Sequence, residues 1–388
     1  MKREFSINTI IQTLQEVLPK DREFIALHEP LFKGNEWTYV KDCLDTGWVS
    51  SIGQYVDRFE QQLADYTGAK YAVAVVNGTA ALHICLQMAG VAAGDEVIMP
   101  ALTFVATANA VCYCGAIPHF VDSEARSLGL DPYKLADYLD DISELRLKGC
   151  FNKKTGRRIK AVVPMHTFGH PVDMEPLVEV CRKFRLELIE DAAESLGSYY
   201  KGIHTGNWGR LSVLSFNGNK IVTTGGGGAI LTNYESLARL VKHLCTQAKL
   251  LHPWSLNHDM VGYNYRMPNI NAALGCAQLA QLPEFIEKKR ALAKRYQEAF
   301  SEVEGVEIFH EDDYAYSNYW LNALLLDEKY CAERDKLLEI TNGHAIMTRP
   351  AWTLMHRLPM YVNCPRMDLS GAESLERRII NLPSSVFL

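Results

Sequence analysis

An α/β protein, with a large domain built on a mostly parallel central sheet and a smaller α+β domain at the C-terminus, is the fold class this sequence predicts. Three observations lead there. Across residues 70–216, short β-branched runs alternate with longer helical patterns, the signature of strands joined by helical crossovers. The 388 residues exceed the roughly 250–300 that a single hydrophobic core usually serves, so two closely packed lobes are expected. No period of about 20–50 residues recurs, which excludes solenoids and propellers.

Taken in order, the N-terminal MKREFSINTIIQTLQEVLPKD alternates charged and aliphatic residues as an amphipathic helix does, and lacks the continuous apolar stretch of a signal peptide. Residues 1–55 precede the first α/β unit, and composition leaves open which lobe they join. The large domain is assigned to 56–268. Within it, 71–76 reads as a strand, 80–89 as a helix, 96–99 as a strand, 103–113 as a helix and 118–121 as a strand. Next come a strand at 159–163, a helix at 174–184, and strands at 186–189 and 211–216. Pro253 and Pro268 mark a change of character. The C-terminal domain, 269–388, then opens on a long helical stretch, 270–300, that carries Lys288, Lys289, Arg290, Lys294 and Arg295 and reads as a solvated helix face. Apolar segments at 319–326 and 344–347, with helical stretches between and beyond, complete it.

Composition narrows the function classes. A hydrophobic fraction of 48% with 22% charged residues fits a folded globular protein. A formal net charge of −6 argues against nucleic acid as the main partner. No apolar run reaches the roughly 18 residues of a membrane span, so no membrane insertion is expected. The 10 cysteines show neither C-x-x-C pairs nor metal-ligand spacing, and read as buried, reduced thiols in a cytoplasmic protein with no metal site.

Three short segments carry chemistry. Val73 to Leu82 runs from an apolar strand through Asn77-Gly78 into a helix with Thr79 in its first turn. Unpaired N–H groups and the helix dipole suit a phosphate there, although simple capping by Asn77 or Thr79 fits the same residues. Leu188-Ile189-Glu190-Asp191-Ala192-Ala193-Glu194-Ser195 ends an apolar strand in a carboxylate pair, at the edge of an α/β sheet where ligands gather, and here too a helix N-cap is an equal local reading. Ser215-Phe216-Asn217-Gly218-Asn219-Lys220, leading to Gly225–Gly228, frames a lysine with turn residues, as either a carbonyl-attacking amine or a solvated side chain beside a glycine loop. Taken together they are more specific. Pyridoxal phosphate needs a lysine for its aldehyde, a carboxylate for its pyridinium nitrogen and a helix start or hydroxyls for its phosphate. The order Gly78/Thr79, Asp191, Ser215/Lys220 supplies each, and Phe104 follows another strand end where it could stack on a ring.

On NGTAALHICLQ, GDEVIMPALTFVATANAV, PHFVD, PMHTFGHPVDM, EDAAESLGSYYKG, LSFNGNK, TTGGGG, VGYNYRMPNINAALGCAQL and the region around MTRPAWTLMHRLPMY, the chain resembles the DegT/DnrJ/StrS group of pyridoxal-phosphate sugar aminotransferases. The likeness runs from about Leu27 to the C-terminus. It implies fold type I, as in aspartate aminotransferase, and is greatest to the branch that aminates the 4-keto position of nucleotide-linked 2-acetamido-2,6-dideoxyhexoses on routes to bacillosamine or legionaminic acid. It makes Lys220 the Schiff-base lysine and Asp191 the partner of the ring nitrogen, with Gly78, Thr79 and Ser215 on the phosphate and Phe104 on the ring. Asn264 matches a residue that reaches the phosphate of the neighbouring subunit, which implies a homodimer with shared sites. Arg266 falls where a carboxylate of L-glutamate would be held, and His356 near the sugar. Glu194 departs from the His or Gln of many relatives, and a carboxylate beside the cofactor hydroxyl has to be neutral or hydrogen-bonded. Other readings are amination at the 3-keto position and a non-catalytic sensor of pyridoxal phosphate or a nucleotide sugar. A dehydratase is disfavoured, because a histidine would stand at Lys220.

Overall fold

The computed structural model describes residues 3–388. Its central sheet runs in the order Tyr71–Val75, Gly228–Thr232, Leu211–Ser215, Glu187–Asp191, Arg158–Val162, Glu96–Pro100, Ile117–Val121. Pairings from Leu211–Ser215 to Ile117–Val121 are parallel, and Gly228–Thr232 is antiparallel to both neighbours. Helices cover both faces, and the strands are accordingly apolar along most of their length, with Glu96–Pro100 and Gly228–Thr232 buried throughout. A hairpin, Ser143–Arg146 and Gly149–Asn152, extends the start of Arg158–Val162.

A second, antiparallel sheet has the order Val306–Ile308, Asn322–Leu326, Ile379–Leu382, Arg349–Pro350. The segment read as apolar at 344–347 contributes a single bridge, Ile25 to Ile346, rather than a strand. The N-terminal residues divide. Helix Ile7–Val17, capped by Ser6 Oγ on Thr9 N at 3.0 Å, packs Ile10, Leu14 and Val17 on Leu292, Tyr296 and Phe300. Helix Glu36–Thr46 lies against Asn269–Leu279, whose Asn269 accepts from Tyr55 N at 3.0 Å and donates to Trp48 O at 2.7 Å.

Three expectations are corrected. The stretch 270–300 is two helices, Asn269–Leu279 and Leu282–Phe300, because Pro283 lacks the N–H that would bond to Leu279 and is tolerated only in a first turn. Its basic residues are not a uniformly solvated face. Lys289 is fully buried and donates to Trp320 O at 3.1 Å and Ser384 O at 2.5 Å, and burial lowers its pKa to about 7. Arg290 turns back onto Ser317 O at 2.7 Å and Glu311 at 2.7 Å. Nor are the cysteines all buried, since Cys112 is exposed. Among the described residues, no helix is long and apolar enough to cross a membrane.

Candidate active site

The parallel strands end together at one edge of the sheet, and a cavity of about 300 Å³ opens there. Its first wall is the start of helix Gly78–Met88. Asn77 Oδ1 accepts from Ala80 N at 2.8 Å, which leaves the Gly78 and Thr79 N–H groups as donors of the helix's first turn. Ser215 stands beside them: a Cβ on Gly78 would lie 3.2 Å from Ser215 Cβ. Gly228 closes the arrangement from behind, opposite both Ser215 and Val75 in register. A side chain on it would place Cβ 2.6 Å from the carbonyl carbon of Asn77 and 2.7 Å from Gly78 N, so only glycine lets this strand lie against the helix start.

Asp191, the last residue of its strand, is buried on the opposite side. Thr107 Oγ1 donates to Asp191 Oδ2 at 2.7 Å and Ala193 N to Oδ1 at 3.2 Å. Burial raises its pKa against those hydrogen bonds and the Lys220 charge, so the carboxylate gains from any cation that reaches it. Its neighbour Glu190 points the other way and is structural: it accepts from Gly206, Trp208 and Gly209 amides and faces His166 Nε2 at 3.2 Å.

Lys220 lies in the loop after Leu211–Ser215, closed by Phe216 N on Gly227 O at 2.8 Å and Thr224 N on Phe216 O at 3.0 Å. Its Nζ sits 3.0 Å from Glu194 Oε1 and 3.9 Å from the centre of the Trp320 ring, whose indole N–H holds Asn219 O at 2.7 Å. Glu194 Oε2 accepts from Phe168 N at 2.9 Å. Burial pushes the Glu194 pKa up to about 7, outweighing the pull of Lys220 and the Phe168 amide. The loop is pinned by Asn318, which donates to the Glu194 and Leu196 carbonyls at 2.9 Å each and accepts from Trp320 N at 2.8 Å.

Gly78, Thr79, Phe104, Asp191, Glu194, Ser215 and Lys220 thus line one cavity. Asn264 does not join them; it is exposed and bridges to Thr246. Arg266 lies outside as well, bridged to Val75. His356 pairs with Glu373 at 3.3 Å, away from the cavity lining. Residues that sequence reasoning passed over include Thr107, Met165, Trp320 and Trp352. Thr107 follows the strand end and Phe104 within GDEVIMPALTFVATANAV, a visible signal; the two tryptophans come from the distant C-terminal region, and Trp352 is marked only by its place in MTRPAWTLMHRLPMY.

A profile of the DegT/DnrJ/EryC1/StrS aminotransferase family matches residues 31–388. The chain belongs to this family. GDP-perosamine synthase of Escherichia coli O157:H7 is 38% identical over 364 residues, covering 93% of both chains. The enzyme of the same name from Vibrio cholerae is 37% identical over 365 residues, 93% of this chain and 94% of its own. Among solved structures, the aminotransferase TlmJ from Streptoalloteichus hindustanus superimposes with a TM-score of 0.84 at 27% identity over 94% of each chain. The DegT/DnrJ/EryC1/StrS aminotransferases use pyridoxal 5′-phosphate, and this chain is a pyridoxal-phosphate-dependent enzyme of fold type I. The cavity suits that group: first-turn amides and a hydroxyl at one end, a buried carboxylate across from them, and an amine between.

Proposed function

We propose that this nucleotide-sugar aminotransferase moves an amino group from L-glutamate to the 4-keto carbon of a nucleotide-linked 4-keto-6-deoxy sugar, giving the 4-amino sugar nucleotide and 2-oxoglutarate. UDP-2-acetamido-2,6-dideoxy-hexos-4-ulose is the favoured substrate, on the motif likeness to the bacillosamine and legionaminic acid branch. The observation that carries the reading is the convergence of Lys220, Glu194, Asp191 and the helix start at Gly78 on one cavity. A GDP-linked 4-keto sugar is the second reading, supported by two relatives named for GDP-perosamine, a 4-amino sugar.

In this mechanism Gly78, Thr79 and Ser215 would hold the phosphate, Phe104 would cover the ring and Asp191 would keep the ring nitrogen protonated. Pyridoxal 5′-phosphate supplies, when bound, the aldehyde that carries the amine and the ring that takes up the electrons left when the α-proton departs. Lys220 would take the proton from the donor's α-carbon in the first half-reaction and, in the second, deliver a proton to the sugar C4. Glu194, anchored by the Phe168 amide on Oε2 and raised by burial to a pKa of about 7, could carry a proton and so would not repel an anionic oxygen of the bound cofactor. The Asn318 contacts keep it there. A second copy of the chain completes the site. Trp37, Trp48, Ile52, Leu251, Trp254 and Val261 are all exposed apolar side chains that a partner would cover, and Asn264 lies near the last of them in sequence.

The test is mass spectrometry of product from a panel of UDP-, GDP- and dTDP-linked 4-keto-6-deoxy sugars, with L-glutamate as donor. Amination of the UDP-linked 2-acetamido sugar is expected. Turnover of the GDP-linked sugar alone selects the second reading, and success only with a 3-keto sugar overturns the regiochemistry.

A further inference from the structure

Beside the cofactor cavity lies another, of about 560 Å³, that shares Asn219, Trp320 and Trp352 with it as a common wall. Leu27, Leu321 and Met347 give it apolar sides, while its polar equipment is unusually idle. Both ring nitrogens of His28 and Oδ1 of the buried Asn381 are shielded from water without a hydrogen-bond partner. Buried polar atoms are normally paired, so such a cluster calls for a ligand. Arg349 adds a guanidinium committed only to two contacts of 3.3 Å, with Asn342 Oδ1 and Thr348 O.

The fold aims these groups deliberately at one place. Arg349 and Asn381 are directly opposed in register across the antiparallel pair Arg349–Pro350 and Ile379–Leu382, so their side chains share a face. The segment carrying His28 is laced down on both sides: Met347 N donates to Ile25 O at 2.8 Å, Ser384 N to Leu27 O at 2.7 Å, and Glu29 N to Ser385 Oγ at 2.8 Å. Burial, and then the charges of Lys289 and Lys220, hold the His28 pKa well below its ordinary value, so its neutral ring offers one donor and one acceptor. Among the described residues no Asp or Glu lines this cavity. A site with a guanidinium, an imidazole and no carboxylate selects an anion.

The geometry points to the amino donor: we infer that this cavity takes the side-chain carboxylate of L-glutamate, with Arg349 as its ion-pair partner and His28 as a hydrogen-bond donor. The inference rests on the transamination reading above. The donor's α-carbon has to lie at Lys220, so what reaches past the Asn219, Trp320 and Trp352 wall is its far end. Leu27, Leu321 and Met347 suit the two methylenes, and Arg349 the anionic end beyond them. The assignment predicts a preference for a dicarboxylic donor over alanine, which neither Lys220 nor Asp191 can supply.

Glutarate, a dicarboxylate with no amine to transfer, is the probe for binding, measured by calorimetry on holoenzyme. The donor half-reaction is followed separately, with glutamate and no sugar, by the change in cofactor absorbance, and the sugar half-reaction by single turnover from the amine-loaded enzyme. Arg349→Gln and His28→Ala are expected to weaken glutarate binding and raise the glutamate KM by about tenfold or more, with the sugar step within about twofold of wild type and Arg349→Lys partly restoring the donor step. Because Arg349 is exposed, Arg349→Gln tests the site without threatening the fold. Unchanged glutarate affinity and glutamate KM in folded variants, or a loss confined to the sugar step, would overturn the subsite while leaving the reaction intact. A wild-type enzyme that accepts no amine from glutamate overturns the parent reading instead.

Discussion

Lys220 and Glu194 meet at 3.0 Å where little water reaches, and the environment decides what each can do. Replacement of Lys220 by alanine removes the only amine lining the cofactor cavity among the described residues, and turnover should fall by about 10³-fold or more, with the lysine-linked cofactor absorbance lost. Purified Lys220→Ala protein that still turns over would refute its role. Glu194 makes a pH prediction. Its folded pKa, about 7, lies above the ordinary carboxyl value because of burial. The folded protein therefore binds this proton more tightly than the unfolded chain, a contribution to stability that is full below about pH 4.5 and lost as pH rises through about 7. Relative to Glu194→Gln, cofactor-free wild type should lose on the order of 2 kcal/mol between pH 5 and pH 8, read from urea unfolding. A pH-independent difference between the two proteins would show that Glu194 is ionised throughout. Asp191 and Lys220 were legible only in combination with the helix start at Gly78, because each segment alone fits a helix cap or a solvated loop equally well. Glu194 was visible only as a departure from the family pattern, since its proton affinity depends on Phe168 and Lys220, which approach from other segments.

Elements place those residues, and a misfit between two of them should show at once. Gly228→Ala would drive a methyl group into the Asn77 and Gly78 backbone at 2.6 Å, pushing the strand from the helix start. Cofactor affinity is expected to drop at least about tenfold and stability by roughly 1–3 kcal/mol. Gly226→Ala, two residues earlier and with open space at its Cβ, serves as the control and should bind like wild type. Absorbance titration with pyridoxal 5′-phosphate separates the two, and equal affinities would mean that the cradle is not where the phosphate sits. Strand and helix cores were readable from periodicity, while strand Gly228–Thr232 opens on the last of four glycines, which carry no period to read. The basic helix shows how a period can be overruled by composition. Phe285, Lys289, Leu292 and Tyr296 are spaced on one apolar face, yet the surrounding Lys and Arg residues masked that pattern.

At the scale of the whole molecule, the exposed apolar residues between Trp37 and Ile52 and between Leu251 and Val261 predict self-association. Sedimentation equilibrium should give twice the 43.7 kDa chain mass at micromolar concentration, and Trp254→Asp should shift the population toward monomer and lower cofactor affinity together. A monomer with full cofactor affinity would refute both the dimer and the shared site.

The α/β class and the three segments that meet at the cavity follow from the chain read in order, because each depends on a strand end, its turn residues and the backbone that follows it. Which side chains close the site is another matter. Trp320, Trp352, Asn318, Arg349 and Asn381 come from the C-terminal sheet and its loops, and His28 from a segment tied between that sheet's neighbours. Their distance in sequence from Lys220 leaves no local pattern to read. Only tertiary packing brings Trp320 and Trp352 to the lysine and sets Arg349, Asn381 and His28 around the adjoining cavity, and burial there raises Glu194 and leaves His28 without a partner.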